Sequence, residues 1–232
     1  MKNLKDYFSD FISLAFPDIC QACGAGLYKQ EHVLCTYCSQ HLPYTNFHLD
    51  RENNTAKQFW GRVDINAAAS FLYFKKGERV QHLLHQLKYR KQTEVGFYLG
   101  KRYGTMLKES SGFAEADIIC PLPLHKASLK KRGYNQSEYF ASGLGAAMQK
   151  EVDSTLLCRP EIAESQTKKS RFDRFLNVKK AFSVQDALRL AGRHVLLVDD
   201  VITTGATLAA CASAILGVAG TRVSIATIAC AP

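Results

Sequence analysis

Two sets of residues in this 232-residue chain have types and spacings that imply chemistry. The first is VLLVDDVITTGAT, Val195 to Thr207, where an apolar run meets adjacent carboxylates, Asp199 and Asp200, and then a hydroxyl-rich turn. Successive side chains of a strand face opposite sides of a sheet, so these acids cannot share one pocket within a strand. Burying either one unpaired would be costly. The carboxyl edge of an open α/β sheet, where ligands bind, accommodates both. Carboxylates at that edge accept hydrogen bonds from a vicinal diol, as ribose presents, or help to hold Mg²⁺. Thr203, Thr204, Gly205, Ala206 and Thr207 then open a helix, whose first N–H groups are unpaired and whose dipole favours anions. Gly205 lets the backbone come close and the threonines add hydroxyls, which suits a phosphate monoester. The stretch therefore reads as a cradle for ribose 5-phosphate. An N-capping threonine after an ordinary strand explains one hydroxyl and neither acid. No Walker loop and no G-x-G-x-x-G after a strand competes with this reading.

The second set is CQAC and CTYC, whose pairs Cys20/Cys23 and Cys35/Cys38 are separated by eleven residues. Two such knuckles around a short hairpin can surround one tetrahedral Zn²⁺ with four thiolates, leaving no open position for catalysis. A segment this small buries little apolar surface, so a metal there would be structural. A redox pair needs one C-x-x-C and not two. Cys120, Cys158, Cys211 and Cys230 lie in apolar surroundings and read as reduced core residues, which fits a reducing compartment.

The elements that must position these groups follow from periodicity. INAAASFLYF has strand character, and ERVQHLLHQLKYR has helical spacing at Val80, Leu83, Leu84 and Leu87. A second helix covers Val95 to Leu107. ADIICPLPLH is a short buried strand stopped by Pro121 and Pro123. A helix runs from near Asn135 to before Asp153, STLLC is a candidate strand, and Arg159 to about Lys180 is a polar, basic loop. HVLLVD is the next strand, Thr204 to Leu216 a helix and RVSIATIA the last strand. Strands alternating with helices imply a mainly parallel sheet covered on both faces. Residues 45–62 are polar and unpatterned and read as a connector.

The chain is 47% hydrophobic and 22% charged, which argues against disorder. No run is long and apolar enough to span a bilayer, and the N-terminal segment, apolar at Leu4, Phe8, Phe11, Ile12 and Ala15, reads as a short amphipathic helix. The expected location is cytoplasmic. A net charge of +9 favours polyanionic partners. The cations concentrate at Lys130, Lys131 and Arg132, and between Lys168 and Lys180, where six face a single acid, Asp173. Lys88 and Arg90 are equally readable as ligand contacts or as a solvated helix end.

VLLVDDVITTGAT resembles, at all its positions, the phosphoribosyl diphosphate (PRPP) binding motif of type I phosphoribosyltransferases. PLPLHKASLKKRGYNQSEYFA and SQTKKSRFDRFLNVKKAF resemble the other two signatures of the competence protein ComF family, which includes GntX-like proteins and carries an N-terminal four-cysteine zinc element. The resemblance covers nearly the whole chain and is weakest near residues 45–62. Lys169 departs from it, standing where relatives commonly carry leucine. It implies a zinc-ribbon-like element and connector over residues 1–60 and a phosphoribosyltransferase-like α/β domain over 61–232. It also implies a mainly parallel sheet flanked by helices, PRPP with Mg²⁺ as ligand, and a role in natural transformation. In resembling enzymes the loop after Pro121 to Pro123 faces pyrophosphate, which assigns Lys131 and Arg132 to PRPP binding. The basic loop is there a hood, from which Arg171 and Arg174 would neutralise the departing diphosphate while Asp199 and Asp200 orient the ribose.

Two function classes remain open from sequence. One is an Mg²⁺-dependent phosphoribosyltransferase of unspecified acceptor. The other is a single-stranded-DNA-binding protein that works with competence or recombination proteins and uses PRPP as a ligand or signal. Its bases would stack on Tyr134 or Phe172. For the cysteines the expected outcome is one zinc per chain in protein purified without chelator, measured by elemental analysis. Cys35→Ser should lose that zinc, and an unchanged metal content would overturn the ligand assignment.

Overall fold

The computed structural model describes residues 17–160 and 181–231. The N-terminal amphipathic segment and the stretch holding Lys168, Lys169, Arg171, Phe172 and Arg174 lie outside the described residues. After the first cysteine pair come α1 (Thr36–Gln40), a 3₁₀ turn at Phe47–Leu49, α2 (Asn54–Lys57) and β1 (Ala67–Tyr73). Then follow α3 (Arg79–Tyr89), α4 (Thr93–Leu107), β2 (Ile118–Pro121), α5 (Lys126–Arg132), α6 (Gln136–Met148) and β3 (Glu151–Val152). The remainder is β4 (Leu157–Cys158), β5 (Ser183–Val184), α7 (Ala187–Leu190), β6 (His194–Ile202), α8 (Ala206–Leu216) and β7 (Arg222–Cys230). Among the described residues no helix is long and apolar enough to cross a membrane.

The main sheet has the order β1-β7-β6-β2-β3, and every neighbouring pair is parallel. Parallel strands need crossovers, which put helices on the faces and bury the sheet. Alternation along β6 sorts its side chains between two cores. Leu196 and Val198 pack with Leu87, Leu99, Tyr103 and Leu144 of α3, α4 and α6. Val195 and Leu197 pack with Phe59 and with Leu208, Cys211 and Ile215 of α8. The fold class expected from sequence is the one observed.

Three local readings change. STLLC supplies only Leu157–Cys158, which pairs antiparallel with β5 outside the main sheet. Lys130, Lys131 and Arg132 form the last turn of α5, a short helix and not a loop. Residues 45–62 are no loose connector. Asn53 and Phe59 are buried, and the Asn53 amide donates to the carbonyls of Phe47, Asp50 and Ala68. Thr55, Ser70 and Thr227 form a buried hydroxyl chain at 2.8 and 2.7 Å that reaches across β1 into β7. Polarity misled here because these polar groups satisfy one another inside the protein.

Residues 43–45 close the outer edge of β1: Tyr73 N–H donates to Pro43 and Thr45 N–H to Phe71, at 2.8 and 3.1 Å. An unpaired strand edge invites association, and this one is covered. On one face, α4 and α6 meet backbone to backbone. A Cβ placed on Gly100 would lie 2.2 Å from the Phe140 carbonyl oxygen, and one on Gly143 2.1 Å from that of Phe97. Gly100→Ala should gain about 1 kcal/mol of helix propensity but force two backbones apart, an overpacking cost of about 3 kcal/mol. The net expectation is a Tm lowered by roughly 4–8 °C, read by thermal denaturation. An unchanged Tm would contradict the close approach.

Candidate functional site

The chain passes from β2 outward to β3, then returns to β6 and continues in the opposite direction to β7. The direction of strand addition therefore reverses between β2 and β6, the place where open α/β sheets leave a crevice at their carboxyl ends. β2 ends early because Pro121 and Pro123 have no N–H to donate. Its last partner is Val198, followed by one bond from Leu122 N–H to the Val198 carbonyl, 2.8 Å. β6 continues to Ile202 and is held there by β7 alone. Asp199 and Asp200 thus lie on the part of β6 that outruns β2. They are not at its very end, as expected, because the strand runs two residues further.

The carboxylates take separate partners, as strand geometry requires. Asp199 Oδ1 accepts from Ser137 Oγ at 2.9 Å and from Asp200 N–H at 2.8 Å. Burial, and then the charge of Asp200, push its carboxyl up to about 7, against the lowering effect of those bonds and of Lys88. Asp200 is 8% exposed and pairs with Lys88 Nζ at 3.0 Å. Lys88, which sequence left balanced between two readings, is therefore held against a carboxylate of β6. Arg90 caps α3 from an exposed position.

Ser137 is aimed by the turn before α6. Asn135 accepts from Ser137 N–H with its side-chain oxygen, 3.2 Å, and donates its amide to the Leu122 carbonyl, 3.0 Å. Tyr134 O–H donates to the Leu87 carbonyl. Gln136 is fully buried, and neither amide atom meets a partner among the described residues. Lys131 is exposed on α5, and the Arg132 guanidinium lies 5.7 Å from the Tyr89 ring. The structure thus gathers Lys88, Ser137, Asp199 and Asp200, with Arg132 nearby. Arg171 and Arg174 lie outside the described residues.

Gly205 has φ +68 and is the N-cap of α8, which carries no side-chain cap. Of its first N–H groups, that of Ala206 meets Thr204 Oγ1 at 3.5 Å, a long contact that an anion at this turn would displace. Thr203, Thr204, Ala206 and Thr207 are exposed around a cavity of about 50 Å³ that Asp199 also lines. Residues missed from sequence support this loop. A Cβ on Gly205 would lie 3.3 Å from Gln58 Oε1, and Arg62 Nη1 donates to the Thr204 carbonyl at 2.7 Å. The aromatic pair in KQFWGR, unusual in a polar stretch, was the available signal. On the other side of Asp200, a cavity of about 420 Å³ is walled by Phe74, Leu84, Tyr89 and Val201.

At the far N-terminal end, the sulfurs of Cys20, Cys23, Cys35 and Cys38 all lie within 4.8 Å of one another. Those of Cys23 and Cys35 are 3.8 Å apart. Four sulfurs at ~2.3 Å around a tetrahedral zinc would be about 3.8 Å apart, so the donor set and its spacing fit such an ion. Burial raises the Cys20 thiol, but backbone N–H groups of Cys35, Ala22 and Cys23 bring it down to about 7. Burial pushes Cys38 up, and the sulfurs of Cys23 and Cys35 add to it. Such crowded thiols ionise together only around a cation. Cys20 and Cys38 also join the core that contains Leu72 of β1.

Residues 145–232 match the family model described as "Phosphoribosyl transferase domain". The DNA utilization protein YhgH of Salmonella typhimurium strain LT2 is 31% identical over 208 residues, spanning 88% of this chain and 87% of that protein. Its Escherichia coli K12 namesake is 28% identical over 209 residues, with the same coverage. Competence protein F of Haemophilus influenzae is 26% identical over 207 residues, 85% of this chain and 83% of that one. Among solved structures, glutamine PRPP amidotransferase from B. subtilis, complexed with ADP and GMP, is similar at 20% identity and a TM-score of 0.43. That match covers 62% of this chain and 30% of the larger one.

The raised Asp199 carboxyl fixes the sign of a pH effect. A group whose folded pKa of about 7 exceeds its unfolded value of about 3.9 stabilises fully below that lower value and loses the contribution as pH rises through 7. Asp199→Asn keeps an oxygen for Ser137 without the charge. Its stability relative to the parent should therefore grow from pH 4 to 7 and level off above. Urea denaturation of ligand-free protein at pH 5 and 8 measures this, and an equal difference at both would contradict it.

Proposed function

The chain belongs to the ComF-like family of phosphoribosyltransferase-domain proteins, and from that premise we propose that it binds PRPP with Mg²⁺ and transfers the phosphoribosyl group to an acceptor. The observation that carries this reading is the pair of separately held carboxylates on β6, beyond the end of β2 and beside the uncapped start of α8. The 5-phosphate rests on the Thr203–Thr207 amides and hydroxyls. Asp199 and Asp200 take the ribose diol, Asp200 exchanging its contact with Lys88 for a sugar hydroxyl. Lys131 and Arg132 at the end of α5 serve the diphosphate.

In the transfer, the bond from C1 to the diphosphate oxygen breaks, the ring passes through an oxocarbenium-like state, and the acceptor's lone pair forms the new bond to C1. The chain supplies position and charge, and no covalent nucleophile is needed. Mg²⁺, held with help from Asp199 and Asp200, would neutralise charge on the leaving diphosphate. Arg171 and Arg174, on their sequence alone, are assigned to the same task. The 420 Å³ cavity beside Asp200 is the place for the acceptor. Zn²⁺ in the four-cysteine cluster is structural.

A second reading rests on the exposed cations Lys130 and Lys131 and on the names of the relatives. In it the chain binds single-stranded DNA, works with competence or recombination proteins, and uses PRPP as a signal. Pyrophosphate release that depends on an added acceptor separates the two. For the ribose site itself, Asp200→Asn should weaken PRPP binding in Mg²⁺ by about tenfold, or 1.4 kcal/mol, by calorimetry on protein shown to be folded. Unchanged affinity in the double Asp199→Asn, Asp200→Asn variant would refute the assignment.

A further inference from the structure

A separate cavity, of about 550 Å³, lies beside the start of β1 and shares no lining residue with the phosphate loop. Arg51, Trp60, Arg62 and Asp64 line it. Trp60 is the chain's single tryptophan and is 58% exposed. It offers a large flat ring at the cavity wall. Lys57 Nζ stands 5.9 Å from its centre. Arg51 gives one hydrogen bond to Ser111 Oγ, 3.3 Å, and Arg62 one to the Thr204 carbonyl, 2.7 Å. Among the described residues neither guanidinium has a carboxylate within ion-pair distance. Each guanidinium has five N–H donors, so both keep unused donors, and both residues line this cavity.

These groups match a ligand that is flat at one end and anionic at the other. We infer that this cavity binds a nucleotide, its base stacked on Trp60 and its phosphate held by Arg51 and Arg62. Stacking on an exposed aromatic tolerates any base and gains from a flanking cation. The planar guanidinium fork matches phosphate oxygens in pairs. Asp64 on the same wall accepts from a ring N–H or amino group, which inorganic phosphate would not offer. The volume lies within the usual ~300–1,000 Å³ range of small-molecule sites. The same chemistry can come as a free nucleotide or as one unit of a single strand.

Because Trp60 is the chain's only tryptophan, its fluorescence reads this site directly. The probes are AMP and a short single-stranded deoxyadenosine oligonucleotide, each titrated in saturating ribose 5-phosphate so that the crevice at β6 does not contribute. Saturable quenching by AMP assigns the site to free nucleotides, and quenching by the oligonucleotide alone assigns it to a strand. Arg51→Gln, outside the crevice, should weaken whichever binds by at least tenfold. Trp60→Leu should abolish binding measured by calorimetry while leaving ribose 5-phosphate binding intact. No saturable quenching by either probe, or quenching unaffected by Arg51→Gln, overturns the inference without touching the PRPP reading.

Discussion

Two neighbouring carboxylates on one central strand impose the constraint around which this fold is arranged. A strand sends adjacent side chains in opposite directions, so Asp199 and Asp200 meet different neighbours. Each must find its own compensation, because an unpaired buried charge is expensive. Ser137 at the start of α6 answers one and Lys88 near the end of α3 answers the other. The two solutions differ electrically. Asp199 has a neutral hydroxyl and is pushed up to about 7, while Asp200 has a full positive charge. The pair is therefore one carboxyl that burial makes easier to protonate and one held against a lysine.

Holding those partners in place accounts for much of the remaining architecture. α6 is fixed against α4 by backbone contact at Gly100 and Gly143, so the helix that presents Ser137 has little freedom to slide. α3 buries Leu84 and Leu87, which places Lys88, one turn beyond Leu84, on the side facing β6. The early stop of β2 then leaves the stretch of β6 that carries both acids without a neighbour on that side. Binding to a site preorganised in this way costs less ordering entropy than binding to a loose one.

Much of this was legible in the sequence, for reasons that differ by residue. VLLVDDVITTGAT is readable because strand, acids, turn and helix start are contiguous, so local rules suffice. The four cysteines are readable because their spacing is the signal. Lys88 was not, since its role depends on a strand more than a hundred residues away, and exposed and functional lysines look alike from composition. Arg62, Gln58 and Trp60 were hidden in a stretch whose polarity resembles a linker. Only the network through Asn53, Thr55, Ser70 and Thr227 shows that those polar residues are internal. The repeat of Gly96, Gly100 and Gly104 at every fourth position was available as a helix-contact stripe and went unread. It fixes where α6 lies.

The neighbourhood of β1 and β7 bears on how the chain is made. β1 pairs with β7 from Ala67–Ser224 to Tyr73–Cys230, so a ribosome must add about 150 residues between the two strands. At the usual ~5–20 residues per second, β1 waits roughly eight to thirty seconds for its inner neighbour. Its outer edge has cover from the start, because residues 43–45 are synthesised before it. The nascent chain therefore meets the cell with one side of an apolar strand guarded and the other bare. The four-cysteine element that precedes it is likewise complete before the sheet closes.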